Sequence, residues 1–231
     1  MTTLGLIGAG DIGSAVARLA VPAGYQVVLS NSRGPATLVD LVTELGDPAR
    51  AGTPCEAAAA GDIVIVTIPF LNYRQVPIEP LRGKVVIDTN NYYSFRDGDF
   101  PELDDDSTTS SELLAAHLPE SRVVKALNNV YSEFLSDLAR PHGDSERSAM
   151  PIAGDDVEAK AEVSRLLDAI GWDTVDVGPL CEGWRFQRGT SAYAGPYVEG
   201  DPDAWPPTRS RRASVDVVRQ RLSEAKRYRD M

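Results

Sequence analysis

Histidine and cysteine are nearly absent from this chain of 231 residues, which holds two of each. With no HExxH, no paired-carboxylate motif and no Ser-His-Asp pattern, the sequence offers no metal site and no hydrolytic machinery. Cys55 and Cys181 lack CxxC spacing and read as reduced thiols of a cytoplasmic protein, not as a disulfide frame. No basic leader precedes the first strand-like residues, "TLGLIG". The longest apolar run, "IVIVTIPFL", is far short of the roughly 20 residues a membrane helix needs, so no membrane partner is expected. Basic charge is also scarce. The net charge of −11 argues against nucleic acid, whose binding draws most of its affinity from a basic face.

What is present is the make-up of a globular α/β chain, 42% hydrophobic and 25% charged. Strand-like and helix-like segments alternate through the first 90 residues, and "DIVIVTIPF" is a continuous apolar strand of the kind covered on both faces. The pattern predicts a Rossmann-like, doubly wound, mostly parallel sheet with a small C-terminal extension and a terminal helix. Residues 1–126 read as the cofactor-binding core. Residues 127–207 would complete the sheet and the substrate pocket, and 208–231 would form a basic amphipathic helix. That last segment carries +5 against −16 for the remainder, and Val215, Val218, Leu222 and Ala225 share one helical stripe. The stripe would dock on the acidic body of the chain or on a second copy, which makes a homodimer an expectation. Residues 179–207 gather Trp184, Phe186, Tyr193, Tyr197 and Trp205 among glycines and prolines, a long irregular stretch suited to covering a ligand.

The chemistry begins at Gly8-Ala9-Gly10-Asp11-Ile12-Gly13, a G-x-G-x-x-G between a first strand and a helix. Gly8 would allow the tight turn, Gly10 the approach of a pyrophosphate, and Gly13 close packing of helix on strand. The helix N-terminus would receive the anion, with Asp11 as an N-cap turned away from it. At the end of the second strand an acid would hold the ribose of NAD, but this chain has "NSRGP". Asn31 and Ser32 bring neutral donors, and Arg33 brings the group suited to bidentate phosphate binding, so the expected cofactor is NADP(H). Three further strand ends offer Thr67, Ile68, Pro69 and Phe70, then Asn90, then Asn128. Pro69 and Phe70 would wall the nicotinamide, and Asn90 and Asn128 would hold its carboxamide or else close their own turns. Lys125 is read either as orienting a substrate or as an ion-paired structural lysine. No catalytic residue stands out; Lys125, Asn128 and Tyr193 are the weak candidates. This scarcity suits hydride transfer to a small-molecule redox substrate, which needs positioning more than acid-base groups.

In order, "IGAGDIG", "LSNSRGP", "VTIPF", "VIDTNNYY", "RVVKALNN", "PIAGDD" and "DVGPLCEGWRFQ" resemble the NADPH-dependent reductases of the deazaflavin coenzyme F420. "SSELLAAHLPESRVVKALNNVYSEFL" is similar to the cytosolic reductase domain of the membrane ferric reductases. The likeness spans about residues 3 to 190. It implies hydride transfer between NADP(H) and coenzyme F420 or a flavin. By motif, Gly10, Asp11 and Ile12 would line the pyrophosphate, Ser32 and Arg33 the 2′-phosphate, and Ile68, Pro69 and Phe70 the nicotinamide. The second substrate would lie among Asn90, Asn128 and "GPLCEGWRF". The chain departs from archaeal members in lacking a threonine in the glycine loop and a histidine near Asn128. Two other readings remain: reduction of a small imine or carbonyl, with Lys125 or Tyr193 giving the proton, and a non-catalytic NADP(H)-binding regulatory protein.

Overall fold

The computed structural model describes residues 1–201, 207 and 209–227. Eight strands form one sheet: β1 (Thr3–Ile7), β2 (Gln26–Ser30), β3 (Ala49–Ala51), β4 (Ile63–Val66), β5 (Val85–Asp88), β6 (Arg122–Lys125), β7 (Ala149–Gly154) and β8 (Asp173–Asp176). Their spatial order is β3-β2-β1-β4-β5-β6-β7-β8. All neighbours run parallel except β6 and β7, which pair antiparallel at Val124 with Gly154 and Lys125 with Ala153. The apolar strands behave as their composition requires, with every residue of β4, β5 and β7 buried. Strand order reverses between β1 and β4, and there the strands' carboxyl ends open a crevice.

Helices cover both faces: α1 (Asp11–Ala20), α2 (Val39–Leu45), α3 (Pro54–Ala60), α4 (Ser94–Asp97), α5 (Pro101–Asp104), α6 (Ser110–His117), α7 (Ser132–Asp137), α8 (Val157–Ala169) and α9 (Val215–Glu224). A 3-10 turn over Pro35–Leu38 precedes α2. Thr53 caps α3 in a full capping box, Thr53 and Glu56 each accepting the other's backbone N–H, and Thr109 with Glu112 does the same for α6. One core layer joins α1, α8 and α9 around Trp172 and Tyr197, while the other gathers Phe70, Tyr73 and Leu114.

The C-terminal stripe is used within the chain. Val218 and Leu222 of α9 are buried in the core layer that includes β7 and β8, and the helix ends at Glu224, one residue before Ala225. The basic residues before α9 are held within the chain: Arg211 donates to Gly195 O at 3.0 Å, and Arg212 donates to Ser145 O at 2.5 Å and pairs with Glu146 at 3.8 Å. The stripe therefore gives no reason to expect a dimer. Trp205, Thr208 and residues 228–231 lie outside the described residues.

Candidate functional site

The glycine turn leaves β1 at Gly8, whose φ of +111° few residues but glycine adopt. A Cβ there would lie 2.0 Å from the Thr67 carbonyl oxygen, and one on Gly13 would lie 2.3 Å from the Gly8 carbonyl oxygen, so both glycines are demanded by the fold. Gly10 differs. Its φ is −81°, and a Cβ would meet nothing within 4 Å. The protein leaves this space open, and the first-turn amides of α1, unpaired within the helix, border it. Gly10 itself is the N-cap, which corrects the reading of Asp11. Asp11 is the first helical residue, exposed, and its side chain edges the two forward cavities and not the one beside Gly8.

The "NSRGP" segment is a built turn. Asn31 Oδ1 accepts from the Arg33 N–H at 3.0 Å, Asn31 Nδ2 donates to Thr37 Oγ1 at 2.9 Å, and that hydroxyl donates to Gly34 O at 2.9 Å. Gly34 takes φ +91° to close it. Asn31 therefore shapes the turn, with Oδ1 and one Nδ2 hydrogen engaged, whereas Ser32 and Arg33 stay exposed and free of any carboxylate partner among the described residues. They line a cavity of about 570 Å³ with Gly8, Gly10, Thr67 and Ile68, and none of its described lining residues is acidic. A guanidinium, a hydroxyl and a helix N-terminus on one neutral wall make a seat for phosphates.

Forward of this lies a cavity of about 310 Å³ that shares Gly10, Ile68 and Pro69 and adds Asn90 and Asn91. It adjoins a third, of about 640 Å³, reaching Asn128, Tyr131 and Tyr193. Asn90 Oδ1 accepts from the Ile68 N–H at 3.2 Å, which fixes the amide and leaves Nδ2 buried without a partner. Asn128 Nδ2 donates to Phe186 O at 2.9 Å and to Asn91 Oδ1 at 3.2 Å, while Asn91 Nδ2 returns a bond to Asn128 O at 2.8 Å. Asn128 Oδ1 has no partner. Leu127, just before it, sits at φ +62°, and Ala194, just after Tyr193, at φ +55°. Strained backbone of this kind persists where surrounding contacts fix it, and here it flanks the largest of these three cavities. Tyr193 Oη lies 2.9 Å from Tyr93 Oη, joining the segment after β5 to the C-terminal half. Burial, with the adjacent Tyr93 hydroxyl, pushes the Tyr193 phenol well up, making it a poor acid.

Phe70 and most of the expected aromatic cover stand elsewhere than expected, and Lys125 takes the ion-paired one of its two readings. Phe70 is fully buried, stacked on Tyr73 at 4.9 Å and packed on Phe100 at 5.1 Å, so it is core and the cavity wall is Ile68 and Pro69. Lys125 lines none of these cavities; it is buried against Asp88 beneath Asn90. Within 179–201, Phe186 and Tyr197 are buried, and Tyr197 donates to Ala149 O at 2.9 Å, so only Tyr193 of the expected aromatic cover faces the large cavity. Residues passed over in the sequence, Thr89, Asn91, Tyr93 and Arg96, line both forward cavities. The signal was the run "DTNNYYSFR" directly after a buried strand, at the carboxyl edge where ligands gather.

Residues 3–92 match the sequence profile of the family described as NADP oxidoreductase coenzyme F420-dependent. Over these residues the chain is similar to this family. It is 33% identical over 131 residues to the F420-dependent NADP reductase of Methanocaldococcus jannaschii, covering 54% of this chain and 57% of that one. It is 29% identical over 179 residues to the metalloreductase STEAP3 of Rattus norvegicus, covering 77% of this chain and 34% of that one. The chain thus spans a minor or middling share of these relatives' lengths. A solved structure of a hypothetical protein from Sinorhizobium meliloti superposes with a TM-score of 0.71 at 30% identity, over 82% of this chain and 91% of that one. No helix among the described residues is long and apolar enough to cross a membrane.

Proposed function

We propose that the protein is an NADP(H)-dependent oxidoreductase that passes hydride between the nicotinamide and a planar redox partner, coenzyme F420 or a flavin, held in the forward cavity. The observation that carries this is the acid-free cavity where exposed Arg33 and Ser32 face the open side of Gly10. An acidic residue in that place would repel a 2′-phosphate, whereas Arg33 attracts it. Gly10 and Ile12 would take the pyrophosphate at the start of α1. Ile68 and Pro69, with Thr67 behind them, would face the nicotinamide, and Asn90 Nδ2 would meet its carboxamide. Residues 127–207 would complete the pocket for the second molecule through Asn128 and Tyr193.

When bound, NADPH supplies the hydride; the chain supplies position and exclusion of water. The titratable side chains of the cavity at Asn128 are carboxylates, arginines and tyrosines, and its Tyr193 hydroxyl is a poor proton donor. That favours an acceptor that takes hydride without a strong acid beside it over a carbonyl or imine that needs one. A crystal soaked with NADPH and oxidised coenzyme F420 tests the reading. The expected result is the 2′-phosphate at Arg33 and the deazaflavin ring in the cavity of Asn128. A dinucleotide bound with its adenosine end elsewhere would overturn it, and an empty forward cavity beside bound NADPH would remove the deazaflavin as acceptor.

A further inference from the structure

Lys125 is an unusual core residue. It is 1% exposed, at the end of a four-residue strand, with a carboxylate of equal burial, Asp88, at 3.7 Å. Burying such a pair costs more free energy than burying apolar side chains of the same volume, so the fold alone gives no reason for it. Its contacts point to the site above it. Lys125 Nζ donates to Asn90 O at 3.0 Å and to Ser111 Oγ at 2.9 Å, and Ser111 in turn donates to Asp88 Oδ2 at 2.6 Å. Asp88 Oδ1 accepts from the Asn90 N–H at 2.9 Å. Both peptide groups of Asn90 are therefore held by this one pair, and its side-chain oxygen is held by Ile68. The single polar group of Asn90 left over is Nδ2.

The lysine stem also meets the opposite wall. A Cβ on Gly183 would lie 2.7 Å from Lys125 Cδ, so the 180–186 segment rests directly on the stem, and the same segment supplies the Phe186 carbonyl that holds Asn128. Lys125 thus underlies both asparagines that border the forward cavities.

We propose that Lys125, with Asp88 and Ser111, is a positioning residue that fixes Asn90 Nδ2 as the donor for the carboxamide of the nicotinamide. The inference rests on the NADP(H) reading above. It makes no contact with substrate and moves no proton; it acts through the backbone of Asn90.

The test is the paired variant Lys125→Met with Asp88→Asn, which removes the ion pair without leaving one charge buried alone. Calorimetry compares its binding of NADP⁺ with its binding of 2′,5′-ADP, which carries the phosphate end without the nicotinamide. The expected result is a loss of about tenfold for NADP⁺, the weight of one misplaced hydrogen-bond partner, and a change under about twofold for 2′,5′-ADP. Asn90→Ala should give the same split, and combining it with the paired variant should add little further loss. Equal losses for both ligands, or none for either, would overturn the positioning role while leaving NADP(H) binding intact. If the wild-type protein bound neither ligand, the cofactor reading would fall and this inference with it. Should the paired variant fail to fold, Ser111→Ala, which removes one support of the lysine, must show the same selective loss in smaller measure, and its absence would refute the proposal.

Discussion

Replacing Arg33 by alanine separates a phosphate seat from an ordinary polar turn. The turn is organised by Asn31, Thr37 and Gly34, and the Arg33 side chain contributes no hydrogen bond or ion pair to it. Removing the side chain should therefore leave stability within about 0.5 kcal/mol of the parent. Its effect on binding should be large and selective. A guanidinium on a phosphate makes up to two charge-assisted hydrogen bonds, each worth about 1.5–3 kcal/mol. The exposure of Arg33 keeps the total near the low end, about 2–3 kcal/mol, or roughly 30- to 150-fold in Kd. NADH, which lacks the 2′-phosphate, should change by less than about twofold. Isothermal titration with both nucleotides, parent and variant, gives the four numbers. Salt adds a check, since raising ionic strength to about 1 M shortens the Debye length to about 3 Å and should erode the parent's preference for NADPH. Equal losses for NADPH and NADH, or a parent that binds both alike, would refute the phosphate seat.

Other perturbations test neighbouring claims. Gly10→Ala should leave the melting temperature nearly unchanged, because its methyl meets no protein atom, yet weaken NADPH by at least about tenfold; Gly8→Ala, driven into the Thr67 carbonyl at positive φ, should instead cost several kcal/mol of stability in denaturant titration. Phe70→Ala should behave as a core truncation, losing about 3–5 kcal/mol of stability, and not as a selective loss of nicotinamide binding. Burial resists ionisation of Asp97, but hydrogen bonds from Arg96 and from the Tyr93 and Leu71 amides outweigh it and hold the carboxyl below its ordinary value. Its stabilising effect should be full above the unfolded value of about 3.9 and fade as pH falls through the folded one, a loss that Asp97→Asn should remove from acid melts.

Much of this was legible in the residues. The glycine turn and the apolar parallel strands are local signals, and each appears where the sequence puts it. "NSRGP" was legible as a unit but not in its division of labour, because only the folded turn shows Asn31 tied to Thr37 and to the Arg33 N–H while the Arg33 side chain is left free. Phe70 misled because a strand-exit aromatic can turn to the cavity or to the core, and its partner Phe100 lies 30 residues away in sequence. Lys125 was readable only as one of two alternatives. Its role depends on Asp88, Ser111 and Gly183, which meet through three different elements. The antiparallel entry of β7 and the burial of the α9 stripe against the chain's own sheet likewise depend on long-range packing, which no periodicity encodes.

The central claim is that hydride leaves a bound nicotinamide for a planar redox partner in the adjoining cavity. Rapid mixing of the NADPH-loaded protein with oxidised coenzyme F420, a flavin and a panel of small imines, followed through the nicotinamide absorbance, tests it most directly. The account predicts a single-turnover loss of reduced nicotinamide with the deazaflavin or the flavin, and none with imines. Oxidation by imines alone would assign a different acceptor, and no oxidation by any of them would leave a nucleotide-binding protein without turnover and contradict the account.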